Sequence, residues 1–154
     1  AASDVYKRQM LGNGTHGFLL DTRVTGDLTV TVRVSDGSGH SVQRQCTVTS
    51  RYPKFSAMIR TMSSAALYSD SPMTLIIRST EYAGDYTVSY TTTSTNCRVS
   101  YGGSMLRPDS PVTLEAGQHI FTANSSYAER TEFVFTITDI YGQSQQAQAS
   151  ITWR

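Results

Sequence analysis

The chain has 154 residues, room for one full domain plus a remnant, or for one large sandwich. Charged residues are only 16% of it and the formal net charge is +1, against roughly 25% charged in ordinary soluble domains. Lys7 and Lys54 are the only lysines and the arginines are scattered singly, which argues against the clustered basic face that nucleic acid requires.

No run of about 18 apolar residues offers a membrane span. Polarity comes from Ser, Thr, Gln and Asn, a hydroxyl-rich surface common in secreted and envelope β-proteins. The start, AASDVYKRQ, lacks the apolar stretch of a signal peptide. It resembles a translated sequencing-adapter tail at the edge of a metagenomic fragment. Residues 1–9 are therefore expected to be a non-native or disordered leader, with any signal or anchor lying upstream.

Beyond the leader, the pattern is period-two alternation, the mark of strands. Leu28, Val30, Val32 and Val34 alternate with Thr29, Thr31 and Arg33. Asp36 to Gly39 reads as a hairpin turn. The segment 55–61 is a shorter strand candidate, and 58–69 is the one place where a helical turn could hide. Met73, Leu75 and Ile77 share a face, as do Tyr86, Val88 and Tyr90. Segments 98–101, 111–115 and 119–123 are further candidates. Turn chemistry separates them at 83–85, 101–103, 107–111 and 115–117. Phe133, Phe135 and Ile137 point one way. After a turn at Asp139 to Gly142, Ala149, Ile151 and Trp153 alternate with Gln148, Ser150 and Thr152. Strands every 8–12 residues without a helical stripe predict an all-β, antiparallel immunoglobulin-like sandwich. Its expected core is Leu75, Ile77, Val88, Tyr90, Val99, Leu114, Phe121, Phe133, Phe135, Ile137, Ile151 and Trp153.

A shift of 103 residues matches the chain to itself. GTHGF at 14–18 falls on GQHIF at 117–121, and VRVSDGSGHSVQRQCTVTS at 32–50 falls on FTITDIYGQSQQAQASITW at 135–153. Turn residues and inward positions coincide without a gap: Gly14 with Gly117, His16 with His119, Asp36 with Asp139, Gly39 with Gly142. A period near 100 residues is one sandwich domain. Residues 51–154 are thus expected to be a complete domain, and residues 10–50 the last part of a truncated first one. Two or three strands alone are marginal, so 10–50 should be poorly ordered or borrow an edge.

YTVSY at 86–90, the glycine pair at 102–103, Leu106 and FVFTITDIYGQSQQ at 133–146 form a pattern that resembles the TraQ-type proteins of conjugative transposons in anaerobic gut bacteria. The resemblance covers most of residues 70–154. The closing hairpin also resembles immunoglobulin-like (PKD-like) modules of bacterial surface proteins. In the first copy, Gly39-His40 stands where the second has Gly142-Gln143. The resemblance implies a small, envelope-associated domain without catalysis.

No nucleophile elbow and no Cys–His motif appears, so no catalytic residue is expected. His16 and His119 occupy one position in two copies and cannot meet in one site, and His40 lies in a turn, so no metal or cofactor is expected. Asp36-Gly37-Ser38-Gly39 lacks the further carboxylates of a calcium loop. Asp36, Gly39, Asp139 and Gly142 are read as structural turn residues. Asn13-Gly14-Thr15 and Asn124-Ser125-Ser126 match the N-glycosylation pattern but read as inert loop sequence. Cys46 and Cys97 fall in different copies and are expected to be two buried free thiols. Tyr82, Tyr101, Tyr127 and Tyr141, at loops and strand ends, are the candidate ligand-binding residues. The expected role is a non-catalytic structural or interaction module of a bacterial cell-envelope or extracellular protein, with a conjugative link implied by the resemblance. Its partners would be other envelope or surface proteins, or glycans. The alternative is a carbohydrate- or peptide-binding module using the loop tyrosines, and a third reading is an enzyme accessory domain.

Overall fold

A computed structural model describes residues 9–20, 22 and 24–154; most of the expected leader, residues 1–8, lies outside them. All regular structure among the described residues is β. The chain divides into two compact units, Ala1–Arg51 and Tyr52–Arg154.

The first unit holds β1 (Gly26–Ser35) and β2 (Ser41–Ser50), paired only with each other. Their antiparallel register runs without a break from Gly26 opposite Ser50 to Ser35 opposite Ser41. Alternating β-branched residues and an Asp/Gly turn favour this pairing, which borrows no edge from another strand among the described residues. What the hairpin lacks is a cover. Val32, Val34, Val42 and Val48 are exposed, Val34 to 64%.

The second unit has ten strands. They are β3 (Ser56–Thr61), β4 (Ser64–Ala65), β5 (Ser71–Arg78), β6 (Asp85–Thr92), β7 (Cys97–Tyr101), β8 (Ser104–Leu106), β9 (Val112–Glu115), β10 (Gly117–Ser125), β11 (Arg130–Thr138) and β12 (Ser144–Trp153). One five-stranded sheet has the order β3-β5-β10-β7-β8 and the other β4-β12-β11-β6-β9. All pairings are antiparallel except β4 with β12. Segment 58–69 contains no helical turn; it supplies β3, the short β4 and a turn.

The inward residues of both sheets meet in one apolar cluster. Met73, Leu75, Ile77, Val99 and Phe121 come from the first sheet, and Val88, Tyr90, Phe133, Phe135, Ile137, Ile151 and Trp153 from the second. Each residue expected in the core is buried, and Met73, Tyr86, Ala123 and Ala147 join them. Burying a large apolar side chain stabilises by about 1.5–3 kcal/mol, and this cluster is what the first unit's hairpin has no equivalent of. Aromatic contacts knit the centre: Phe135 lies 5.8 Å from Tyr90 and 5.0 Å from Phe121, ring to ring.

Two expectations need correction. Asn124 is not in a loop but on β10. Cys46 is not buried: it is exposed on β2, because the face it shares with the valines is uncovered, while Cys97 is half-buried. Burial pushes the Cys97 thiol up to about 11. The thiolate is the reactive form, and at pH 8 roughly one Cys97 in a thousand is ionised by that value. Brief iodoacetamide treatment at pH 8 should therefore label Cys46 and spare Cys97 in peptide mass spectra. Equal labelling of the two would contradict the burial of Cys97.

Candidate functional site

Three segments converge at one end of the second unit: residues 52–55 before β3, the β5–β6 loop, and the β11–β12 turn. The Lys54 amide donates to Glu81 Oε2 at 2.7 Å, and Ser79 Oγ donates to the Lys54 carbonyl at 2.9 Å. The Gln143 side-chain amide donates to the Pro53 carbonyl at 2.9 Å. These bonds gather four tyrosines. Tyr52 stacks on Tyr141 with ring centroids 5.0 Å apart and planes 18° from parallel. Tyr82 meets Tyr141 edge-on at 6.1 Å and the buried Tyr86 at 5.6 Å. Phe55 closes the group against Tyr86 at 4.9 Å. Desolvation raises the Tyr82 phenol above its ordinary value, with Tyr141 adding to it, so the ring is uncharged at neutral pH. A side chain at Gly84 would meet the Tyr82 hydroxyl and push its ring aside. Tyr52 and Tyr141 remain partly exposed and form an aromatic ledge suited to a flat apolar surface.

The tyrosines singled out in the sequence thus separate. Tyr82 and Tyr141 come together, joined by Tyr52, which no local pattern marked. Tyr127 is 60% exposed in the β10–β11 connection at the opposite end. Tyr101 ends β7 with its ring against Phe121 at 4.8 Å. Its hydroxyl lies 2.9 Å from His119 Nδ1, while His119 Nε2 lies 2.7 Å from the Glu115 carbonyl. A carbonyl only accepts, so Nε2 carries the proton and, in the neutral ring, the Tyr101 hydroxyl donates to Nδ1. Those polar atoms are spent on the fold.

The two turn sites are built alike. Asp36 N–H donates to the His40 carbonyl at 3.0 Å, and Asp139 N–H to the Gln143 carbonyl at 3.0 Å. Asp36 Oδ1 accepts from the amides of Ser38 at 2.8 Å and His40 at 3.0 Å. Asp139 Oδ1 accepts from those of Tyr141 at 2.9 Å and Gln143 at 2.8 Å. The donors sit two and four residues on, rather than the two or three that turn chemistry suggests. The second carboxylate oxygen faces His40 Nδ1 at 3.1 Å in one turn and accepts from Gln143 Nε2 at 2.7 Å in the other, so imidazole and amide play the same part. Backbone bonds from Ser38 and then His40 hold the Asp36 carboxyl below its ordinary value. Gly39 and Gly142 close the turns at φ of 86° and 84°. Nor does the likeness stop there. His16 Nε2 contacts the Gly12 carbonyl at 2.7 Å, as His119 does that of Glu115, and Gly14 and Gly117 have φ of 136° and 133°. Among the described residues no three His, Cys, Asp or Glu side chains gather to hold a metal.

No protein-family model matches the chain, and no curated protein matches it. Solved structures do. A conjugative transposon lipoprotein from Bacteroides eggerthii is similar with a TM-score of 0.55 and 13% identity, covering 66% of this chain and 98% of that one. A lipoprotein from Bacteroides thetaiotaomicron is similar with a TM-score of 0.54 and 19% identity, covering 68% of this chain and 83% of that one. At such identities the likeness is one of fold.

Proposed function

We propose that the chain belongs to a non-catalytic structural or interaction module of a bacterial cell-envelope protein, built from tandem immunoglobulin-like sandwich domains and linked to conjugative transfer. The observation that carries the tandem reading is the turn found twice, 103 residues apart, with the same carboxylate bonds, the same positive-φ glycine and the same strand register. On this reading β1–β2 is the closing hairpin of a first domain. Its exposed Val32 and Val34 occupy the positions that Phe135 and Ile137 fill in the second copy, and strands like β5, β7 and β10 of the facing sheet are their natural cover.

The envelope and transfer reading is supported by the fold shared with the two Bacteroides lipoproteins, one of them of a conjugative transposon, and by the resemblance to TraQ-type proteins. The non-catalytic reading is supported by how the polar side chains are used: Asp139, Gln143, His119 and Tyr101 bind the fold itself. Stacked sandwiches act as spacers and display loops at their ends, and the tyrosine ledge is such a display. Fractionating the source bacterium and mating a strain deleted for the gene tests this. The protein should partition with the envelope, and deletion should lower transfer frequency at unchanged growth. Recovery in the cytosol would overturn the envelope reading, and unchanged transfer the conjugative one.

A further inference from the structure

The outer face of the first sheet of the second unit carries a groove at the opposite end from the tyrosine ledge. On β7 and β10, Val99, Phe121 and Ala123 point into the core, so alternation turns Arg98, Ser100, Thr122 and Asn124 outward. Register sets Ser100 directly opposite Thr122 and Arg98 directly opposite Asn124, giving a two-by-two polar floor. Met105 on β8 extends the row beside Ser100 and is 64% exposed. On the far side the β4–β5 turn brings Asp70, whose Oδ1 accepts from the Asn124 amide at 2.9 Å. The hollow is about 400 Å³, within the range of small-ligand sites.

Tyr68 forms its rim. It adopts φ of 59°, a left-handed conformation that a bulky residue adopts rarely and at a cost in strain. The turn holds it there: its N–H donates to the Ser125 carbonyl at 2.9 Å, and the neighbouring Leu67 packs against the core. The ring is 74% exposed. The fold thus spends backbone strain to hold an aromatic side chain out in water. Around it, the Arg98 guanidinium has no ion pair or hydrogen bond among the described residues, and Asp70 keeps its second oxygen unbonded there.

We infer that this groove is a binding site for a neutral glycan. The apolar face of a sugar ring stacks on an exposed aromatic. Adjacent hydroxyls, each donor and acceptor, suit planar side chains such as the Arg98 guanidinium, the Asn124 amide and the Asp70 carboxylate. One positive and one negative group side by side favour an uncharged ligand over a phosphate or a polyanion. The site is separate from the tyrosine ledge and from the proposed envelope role.

Titrating the isotope-labelled full chain with cellotetraose, mannotetraose and chitotetraose tests the inference. At least one should shift the amides of Tyr68, Arg98, Ser100 and Asn124 in a saturable way. Tyr68→Gly should lower its affinity roughly tenfold, the size of a lost aromatic stack, while the melting temperature holds or rises because the strain is relieved. Arg98→Ala should also weaken binding. No saturable shift with any of the three, shifts at Tyr52 and Tyr141 instead, or unchanged affinity in Tyr68→Gly would each overturn it. So would preferential shifts with inorganic phosphate or with a short extended peptide.

Discussion

Phe135→Ala is expected to destabilise the second unit by about 3–5 kcal/mol, the range for truncating a buried aromatic. Phe135 has no exposed surface. It sits on β11 between β12 and β6, with its ring against Tyr90 and, across the core, against Phe121. One side chain therefore ties two sheets together, and removing it leaves a cavity that neither sheet can fill alone. The chain has a single tryptophan, Trp153, which is 1% exposed in that same core. Its fluorescence in urea reports this unit regardless of the first. A midpoint equal to that of the parent would mean that Phe135 is not where the packing is made. Val32→Ala, at the repeat-equivalent position, should leave the Trp153 transition in place.

Gly142→Val should be the next most damaging, at about 1–3 kcal/mol, the usual cost of forcing a side chain into a sparsely populated backbone region. The space around Gly142 is open, so the cost is conformational: φ is 84°, and a β-branched residue avoids it. The turn also holds the register from Thr138 opposite Ser144 to Arg130 opposite Thr152. A slip of one residue would turn Ala147, Ile151 and Trp153 outward. Gly142→Val is thus expected to lower the urea midpoint and redshift Trp153 emission, whereas Gly39→Val should do neither. Calcium and zinc should leave the melting temperature unchanged. A rise with calcium that Asp139→Asn abolishes would make the turn a metal site, and an unmoved midpoint would mean the turn does not set register.

The strands were readable because a sheet buried on one face writes its period directly into the sequence: Phe133, Phe135 and Ile137 could face only one way together. The Asp/Gly turns were readable for a similar reason, since carboxylate and positive-φ glycine act within five residues. Cys46 was misjudged because alternation says which residues share a face but not whether anything covers it. Tyr52 was missed because it reaches Tyr141 only through the loop bonds that gather that end of the unit. Tyr68 could not be read at all; its left-handed backbone is imposed by the Ser125 carbonyl and the half-buried Leu67, neither of which leaves a local trace. Ile76 is a smaller case: the strand pattern turns it away from Leu75 and Ile77, yet it is buried as well.

The two-residue strand β4 is the smallest element of the second unit, and it bears on how fast that unit can form. Ser64 and Ala65 pair with Thr152 and Trp153 in parallel, 88 residues away along the chain, and the Arg154 amide donates to the Ala65 carbonyl at 3.1 Å. Loop-closure entropy for so long a span must be met before any of those bonds forms. The two sheets likewise draw β5 to β10 and β6 to β11 across intervening strands. High contact order of this kind places refolding on the millisecond-to-second scale rather than in microseconds. Until the facing sheet with β5, β10 and β7 docks, the inner faces of β6 and β11 stay open to water, a surface on which a partly folded chain can associate with its neighbours.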